Sequence, residues 1–470
     1  VSLSLLTAAR EHPDGVAAID MERPWTFAEL APLVAAEAGA IAAASGWNCA
    51  ARDRRAAPPF LLLDATASLD TLVRLYAAFE LGAAVVLCHP RWTAAERARA
   101  AAAVPGAVEV GEIAHAVGTP AWRAGPPADD DRALAVVFTS GSAGTPKGVV
   151  LSRAAFAASA AASARRLGWR DDDRWLLSLP PAHVGGLSIV TRCLLARRPV
   201  VLAAGVTPAE ELARIARERV TLHSLVAAQL RRLLAAAPET AAPPSLRAVL
   251  IGGGPCPSGL LAEAVARGWP LLPTYGLSET CSQVATQPPG WLPADGGGAG
   301  PPLPGVEMRI VAGEIQIRGP MVCSGYLPEA VHATPFTADG WLRTGDLGRL
   351  DEQGRLEVIG RRDAQIVTGG ENVAPEEVER ALLSCPGVRE ALVFGVSDEA
   401  WGAVIAAAVV ATAGGAPDPA ALRASLASRL AAFKLPRLLT VVPALPLSPN
   451  GKPDRSRAAR ELAEQLEPLI

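Results

Sequence analysis

Between Leu134 and Tyr275, short apolar runs alternate with longer stretches in which apolar residues recur every three or four positions. LAVVFT (from Leu134), RWLLSL (from Arg174), TLHSLV (from Thr221), RAVLIGGGP (from Arg247) and PLLPTYG (from Pro270) have the length and apolar density of buried strands. Helices are predicted between them. Ser152 can cap one that runs to Leu167 with Gly168 as its stop, and PAEELARIARER opens another at Pro208. AAQLRRLLAAA and a segment ending at Arg267 give two more. This alternation predicts an α/β fold, a doubly wound sheet with helices on both faces. LTAAREHPDGVAAID and SLDTLVRLYAAFELGAAVVLC, earlier in the chain, read as more of the same large domain.

The pattern changes from Gly296 to Pro320, where short alternating strands broken by Gly and Pro predict a small β-subdomain. RLDEQGRLEVIGRRD then reads as a hairpin. Beyond Asp363 come a helix (PEEVERALLSCPG, with a Gly stop), strands (REALVFGV, AVIAAAVVA), a second helix (PAALRASLASRLAAF) and a last strand (RLLTVVPALPL). The expected division is a large N-terminal domain, 1–362, and a smaller mobile α+β C-terminal domain, 363–470.

Composition narrows the function. The chain has 470 residues, half of them apolar, and a formal net charge of −3. Nothing in that balance, and no basic stripe, calls for nucleic acid or an anionic membrane as partner. The N-terminal stretch lacks the pattern of a secretory signal, and the longest apolar run, Trp401 to Ala413, falls short of the ~20 residues of a membrane span. The seven cysteines are scattered, with no CxxC pair, which predicts free thiols in the cytoplasm and no zinc site. A homo-oligomer is left open. Only three of the 44 basic residues are lysine, namely Lys147, Lys434 and Lys452. Where arginine is the default cation, a lysine is better explained by its compact ammonium.

Lys147 sits within VVFTSGSAGTPKGVVLS. The stretch is not a Walker A loop, which needs GxxxxGK[ST], because Gly148 follows the lysine. It still offers the hydroxyls of Thr139, Ser140 and Ser142, backbone N–H groups freed by Gly141 and Gly144, and one ammonium, all suited to polyphosphate oxygens. LPPAHVGGLS, TYGLSET, GWLRTGDLG with GRRDAQIVTGGENVAPEEVE, and PLSPNGKPDR follow it in order. Together the five stretches resemble the acyl- and aryl-adenylate-forming superfamily over essentially the whole chain. One departure is Ala143, where that family usually has a second threonine.

The resemblance implies a two-step reaction. A carboxylate attacks the α-phosphorus of ATP, pyrophosphate leaves, and a thiol, coenzyme A, then displaces AMP. It implies that the Thr139–Lys147 loop holds the β- and γ-phosphates, that Glu279 carries Mg²⁺, and that Ser278 touches the α-phosphate. Tyr275, beside Gly276, would stack on adenine, with Gly252, Gly253 and Gly254 letting the backbone approach the base. Asp346, helped by Arg361, would accept from the ribose hydroxyls. Lys452 would be the catalytic cation of adenylation, delivered by closure of the small domain. Asp363 matches the hinge, and Gly369 and Gly370 would line the pantetheine tunnel.

The acid is read from LPPAHVGGLSIVTR and ETCSQVAT, which look most like o-succinylbenzoate–CoA ligases of menaquinone biosynthesis. His183 would sit, with a catalytic part, at the mouth of the acid pocket, and Ser282 would help line it. Gly185 departs from that group, which often has serine there. Arg192, on a helix from the pocket floor, could hold the spectator carboxylate of a dicarboxylate bidentately. The alternatives are another aryl- or acyl-CoA ligase, a stand-alone adenylation enzyme loading a carrier protein, and a catalytically silent nucleotide-binding scaffold.

Overall fold

The computed structural model describes residues 2–21, 23–46, 60–110, 130–139, 147–295, 298–328, 335–447 and 453–469. An eight-stranded sheet runs through 282–286, 271–277, 248–251, 222–225, 175–177, 200–202, 16–20 and 23–26 in spatial order. Its interior strands pair in parallel and its two edges antiparallel. A six-stranded sheet runs through 325–327, 147–152, 133–139, 85–88, 61–64 and 108–109. One apolar core joins the two. It draws Leu63, Leu87 and Val137 from the smaller sheet, Leu177 and Leu250 from the larger, and Phe27, Phe79, Phe156 and Ile189 from helices.

The βα alternation holds strand by strand, and local chemistry explains the helix ends. Ser152 accepts from Ala155 N–H and starts Arg153–Leu167, which stops at Gly168 in a positive-φ conformation. Thr207 and Glu210 form a capping box, with Pro208 in the first turn of Pro208–Arg217. One element between Thr139 and Ser152 was not foreseen. Lys147–Ser152 is a strand, antiparallel to Ala133–Thr139, with Thr139 directly opposite Lys147. Strand pairing therefore holds the two described ends of the phosphate-type loop, Thr139 and Lys147, side by side.

Glu307–Val311, Glu314–Arg318, Leu342–Leu350 and Leu356–Arg361 form the small antiparallel sheet. Ile366–Thr368 and Glu371–Val373 form a separate hairpin. A last sheet is built from Val388–Asp398, Gly402–Ala411, Leu438–Val441 and Glu467–Pro468. Pro375–Leu383 ends at Ser384 and not at Gly387, because the last turn closes with right-handed backbone at its cap. Gly387 serves the following turn with φ +84°. Arg455–Glu461, capped by Asp454, is a helix with no strong apolar period and was not foreseen.

Phe27–Ala44, longer than the Trp401–Ala413 run, has the length and composition to cross a membrane. Half of it is buried within the protein, where Phe27, Leu30, Val34 and Ile41 join the main core. The same properties serve a core helix.

Candidate functional site

The site lies where strand ends of the two large sheets meet the small antiparallel sheet. Ser140, Gly141, Ser142 and Gly144, and also Lys452, lie outside the described residues. The two ends of the loop are described. The Thr139 hydroxyl is buried without a hydrogen-bond partner among the described residues. Lys147 Nζ lies 2.9 Å from Glu279 Oε1. Glu279 is 9 % exposed and sits in the tight turn Ser278–Thr280, which closes the Leu271–Leu277 strand. A buried carboxylate that already draws in a cation fits a hard divalent ion, and Glu279 would be its ligand.

The turn exists because the chain doubles back sharply. Gly276 pairs with Gln283 across the Leu271–Leu277/Ser282–Thr286 pair, and any Cβ there would overlap the neighbouring Ser282 carbonyl. Cys281 and Ser282 carry φ of +51° and +95°, conformations that side-chain-bearing residues adopt at a cost. This strain sits directly after Ser278 and Glu279 and fixes where they point.

The residues expected at the nucleoside also converge. Tyr275 donates its hydroxyl to Asp346 Oδ2 at 2.6 Å. Asp346 and Arg361 are cross-strand partners, with 3.3 Å between Arg361 Nη1 and Asp346 Oδ1. Arg361 also grips Asp363 with two bonds of 3.0 and 3.1 Å. Burial pushes the Asp346 carboxyl above the usual carboxylate range, against the pull of Tyr275 and Arg361. Beside this chain is a cleft of about 360 Å³ lined by Lys147, Tyr326, Arg343, Gly345, Arg361 and Asp363, rich in positive charge. Gly252 packs so close to Thr274 that a Cβ would meet its side chain at 2.8 Å, and Gly253 has φ +75°. Gly254 has open space, so no packing demand explains it.

On the acid side, Val184–Ala196 starts at His183, whose ring is half-buried and makes no capping bond. A Cβ at Gly186 would meet the Pro180 and Leu179 carbonyls at 2.5 and 2.6 Å, so only glycine lets this helix start against the preceding loop. Arg192 is no surface arginine, being 2 % exposed. Its guanidinium lies 5.6 Å from the Trp175 ring centroid, and its Nε and Nη2 have no hydrogen-bond partner among the described residues. Desolvation lowers its pKa to about 10, which leaves it cationic at neutral pH. Ser282 is half-buried at the start of its strand.

Gly369 and Gly370 form the two-residue turn of the Ile366–Thr368/Glu371–Val373 hairpin, with φ of +58° and +85°. Gly369 also packs on the exposed Trp401 ring, which a Cβ would meet at 2.7 Å.

Three participants escape a reading of motifs. His89 faces His183 with ring centroids 5.1 Å apart. Its Nδ1 accepts from Arg91 N–H, so its buried Nε2 carries the proton, and that proton has no partner among the described residues. Tyr326 bonds both Lys147 and Glu279. Trp401 supports Gly369. The signal for Tyr326 was its rarity, since the chain has only three tyrosines. His89 and Trp401 offered none.

Residues 103–327 match the family described as AMP-binding enzyme, and residues 377–452 match the AMP-binding enzyme C-terminal domain. The 2-succinylbenzoate–CoA ligase of Bacillus pumilus (strain SAFR-032) is 34 % identical, with 96 % of each chain aligned. The o-succinylbenzoate CoA synthetase (MenE) of Bacillus subtilis, in complex with the acyl-adenylate intermediate OSB-AMP, superposes with a TM-score of 0.85. It is 31 % identical, covering 96 % of this chain and 97 % of that one. The same Bacillus subtilis enzyme with ATP and magnesium ion gives a TM-score of 0.82 at 31 % identity, covering 96 % and 98 %.

Proposed function

We propose, on the premise that this chain belongs to the AMP-binding enzyme family, that it is an ATP-dependent acid–CoA ligase acting on o-succinylbenzoate in menaquinone biosynthesis. The observation that carries the choice of acid is Arg192. A cation buried this deeply needs an anion, and two of its nitrogens have no partner among the described residues. One carboxylate of o-succinylbenzoate is activated and the other remains a spectator, which is the anion such a guanidinium would pair with bidentately. A monocarboxylic fatty acid would leave the charge unmatched.

The residues then divide the work. The Thr139 hydroxyl, the loop that follows and the Lys147 ammonium hold the β- and γ-phosphates, with Ser278 at the α-phosphate. Asp346 and Arg361 take the ribose, and Tyr275 and Gly252–Gly253 flank the base. Glu279 would hold Mg²⁺, which would supply positive charge to the phosphates. Lys452 stabilises the charge that develops between the attacking carboxylate and the α-phosphate. His183 bounds the acid at the pocket mouth, with Ser282 on its wall. The hinge is placed at Asp363, which divides the chain into 1–362 and 363–470, and Gly369 and Gly370 are placed along the thiol's path. The six described cysteines are all free thiols, which supports a cytoplasmic setting.

The test is pyrophosphate release over a panel of carboxylic acids with ATP and CoA. o-Succinylbenzoate is expected to give the highest kcat/KM and to yield its CoA thioester. A monocarboxylic acid turned over equally well would overturn the substrate assignment.

A further inference from the structure

Lys147, Glu279 and Tyr326 meet at one oxygen. Lys147 Nζ lies 2.9 Å from Glu279 Oε1 and donates to Tyr326 Oη at 3.0 Å. Tyr326 Oη donates in turn to the same Glu279 Oε1 at 3.0 Å. The ammonium also lies 4.2 Å from the Tyr326 ring centroid. Main-chain bonds set this geometry. Gly325–Leu327 pairs antiparallel with the strand that carries Lys147, with Tyr326 opposite Val149. Two residues before Gly325, Cys323 N–H donates to the Glu279 carbonyl at 2.7 Å. The phenol is thus tied through the backbone to both of its partners.

The adenylating reading gives Lys147 and Glu279 separate duties, the first on phosphate and the second on a metal ion. In the resting site they neutralise each other, and the ammonium occupies one side of the carboxylate. A divalent ion arriving alone must displace a half-buried ammonium from the carboxylate. An ion arriving with a phosphate chain brings an anion that takes Lys147 over.

We propose that Tyr326 is a positioning residue that orients the Glu279 carboxylate for metal, and that the Lys147–Glu279 contact it bridges closes the site to free metal until nucleotide arrives. The inference rests on Glu279 being the metal ligand. Metal and nucleotide are then coupled, each raising the affinity of the site for the other.

Two measurements test it, one of which needs no turnover. Mn²⁺ binding to the full-length protein is followed by electron paramagnetic resonance without nucleotide. Wild type is expected to bind weakly, and Lys147→Gln to bind at least several-fold more tightly, because the carboxylate is uncovered. Equal binding by the two proteins overturns the closure. Half-saturating Mg²⁺ for pyrophosphate release is then measured at saturating ATP. Loss of a hydrogen-bond partner of a metal ligand weakens metal binding on the order of 10–100-fold. Tyr326→Phe, which keeps the ring, is expected to raise the Mg²⁺ requirement by that much while metal-free AMP affinity and the melting temperature stay near wild type. An unchanged Mg²⁺ requirement, or a parallel fall in AMP affinity and melting temperature, overturns the positioning role. Glu279→Gln separates the two levels. If it shifts the Mg²⁺ requirement and Tyr326→Phe does not, only the role of Tyr326 falls. If it shifts nothing, the metal-ligand reading falls and takes this inference with it.

Discussion

The proposed role of Arg192 makes a prediction about selectivity at a single side chain. Removing one member of a buried charged pair costs on the order of 3–5 kcal/mol. Arg192→Ala should therefore lower kcat/KM for o-succinylbenzoate by roughly two or more orders of magnitude. Arg192→Lys should recover part of the loss, because the ammonium keeps the charge and loses the planar fork. A benzoate-like acid without the second carboxylate should be nearly unaffected in both variants. An equal drop for both acids would make Arg192 a support of the fold. Asp346 predicts a pH effect. Ribose hydroxyls need its ionised form, and burial raises its pKa. AMP affinity should therefore begin to fall on acidification above the ordinary aspartate range. The contribution to folding has the opposite sign, since a raised carboxyl pKa favours the folded state at low pH and that advantage is lost as pH rises through the folded value. AMP titrations across pH check this, and Asp346→Asn should flatten the profile. Residues inside short motifs, such as Lys147, Glu279 and Asp346, were legible because their neighbours in the chain identify them. Tyr326 was not, because its role appears only when strands 179 residues apart pair.

At the scale of elements, the parallel core was readable from short apolar runs such as AVLI at Ala248–Ile251, buried at every position. The Lys147–Ser152 strand was missed because its first residues looked like the end of a loop and Ser152 like the start of a helix. Both readings of Ser152 hold, since it ends the strand and caps the helix. Gly387 misled for a related reason: a glycine near a helix end marks a positive-φ position without saying which turn needs it. The Gly369–Gly370 turn has both constraints at once, positive φ and the Trp401 ring. Gly369→Ala should cost about 1–2 kcal/mol from backbone alone. Shifting the turn off the thiol's path should slow CoA thiolysis of acyl-AMP on the order of ten- to a hundredfold. Adenylate formation, followed by acid-dependent pyrophosphate exchange, should stay near wild type. Equal damage to both half-reactions would remove the hairpin from the thiol path.

For the whole molecule, the expected division near Asp363 came from a change of texture, and beyond it Ile366, Val378, Val393 and Leu439 share a core of their own. Arg361 links Asp346, the proposed ribose ligand, to Asp363, the proposed hinge, so on that reading nucleotide and hinge would share one guanidinium. If the smaller domain delivers Lys452 for adenylation and then moves away, Lys452→Ala should abolish adenylate formation and largely spare thiolysis of preformed acyl-AMP. Single-turnover measurements of each half-reaction decide it, and equal loss in both would count against two working orientations. The Arg192 nitrogens that lack a partner among the described residues also bear on how long the empty protein lasts. A buried polar group without partners costs about 1–3 kcal/mol, so if Arg192 holds the second carboxylate, the protein would trade robustness for discrimination and its acid would act as a folding ligand. Arg192→Met should melt a few degrees higher than wild type without ligand, gain nothing from added o-succinylbenzoate, and lose its preference for two carboxylates.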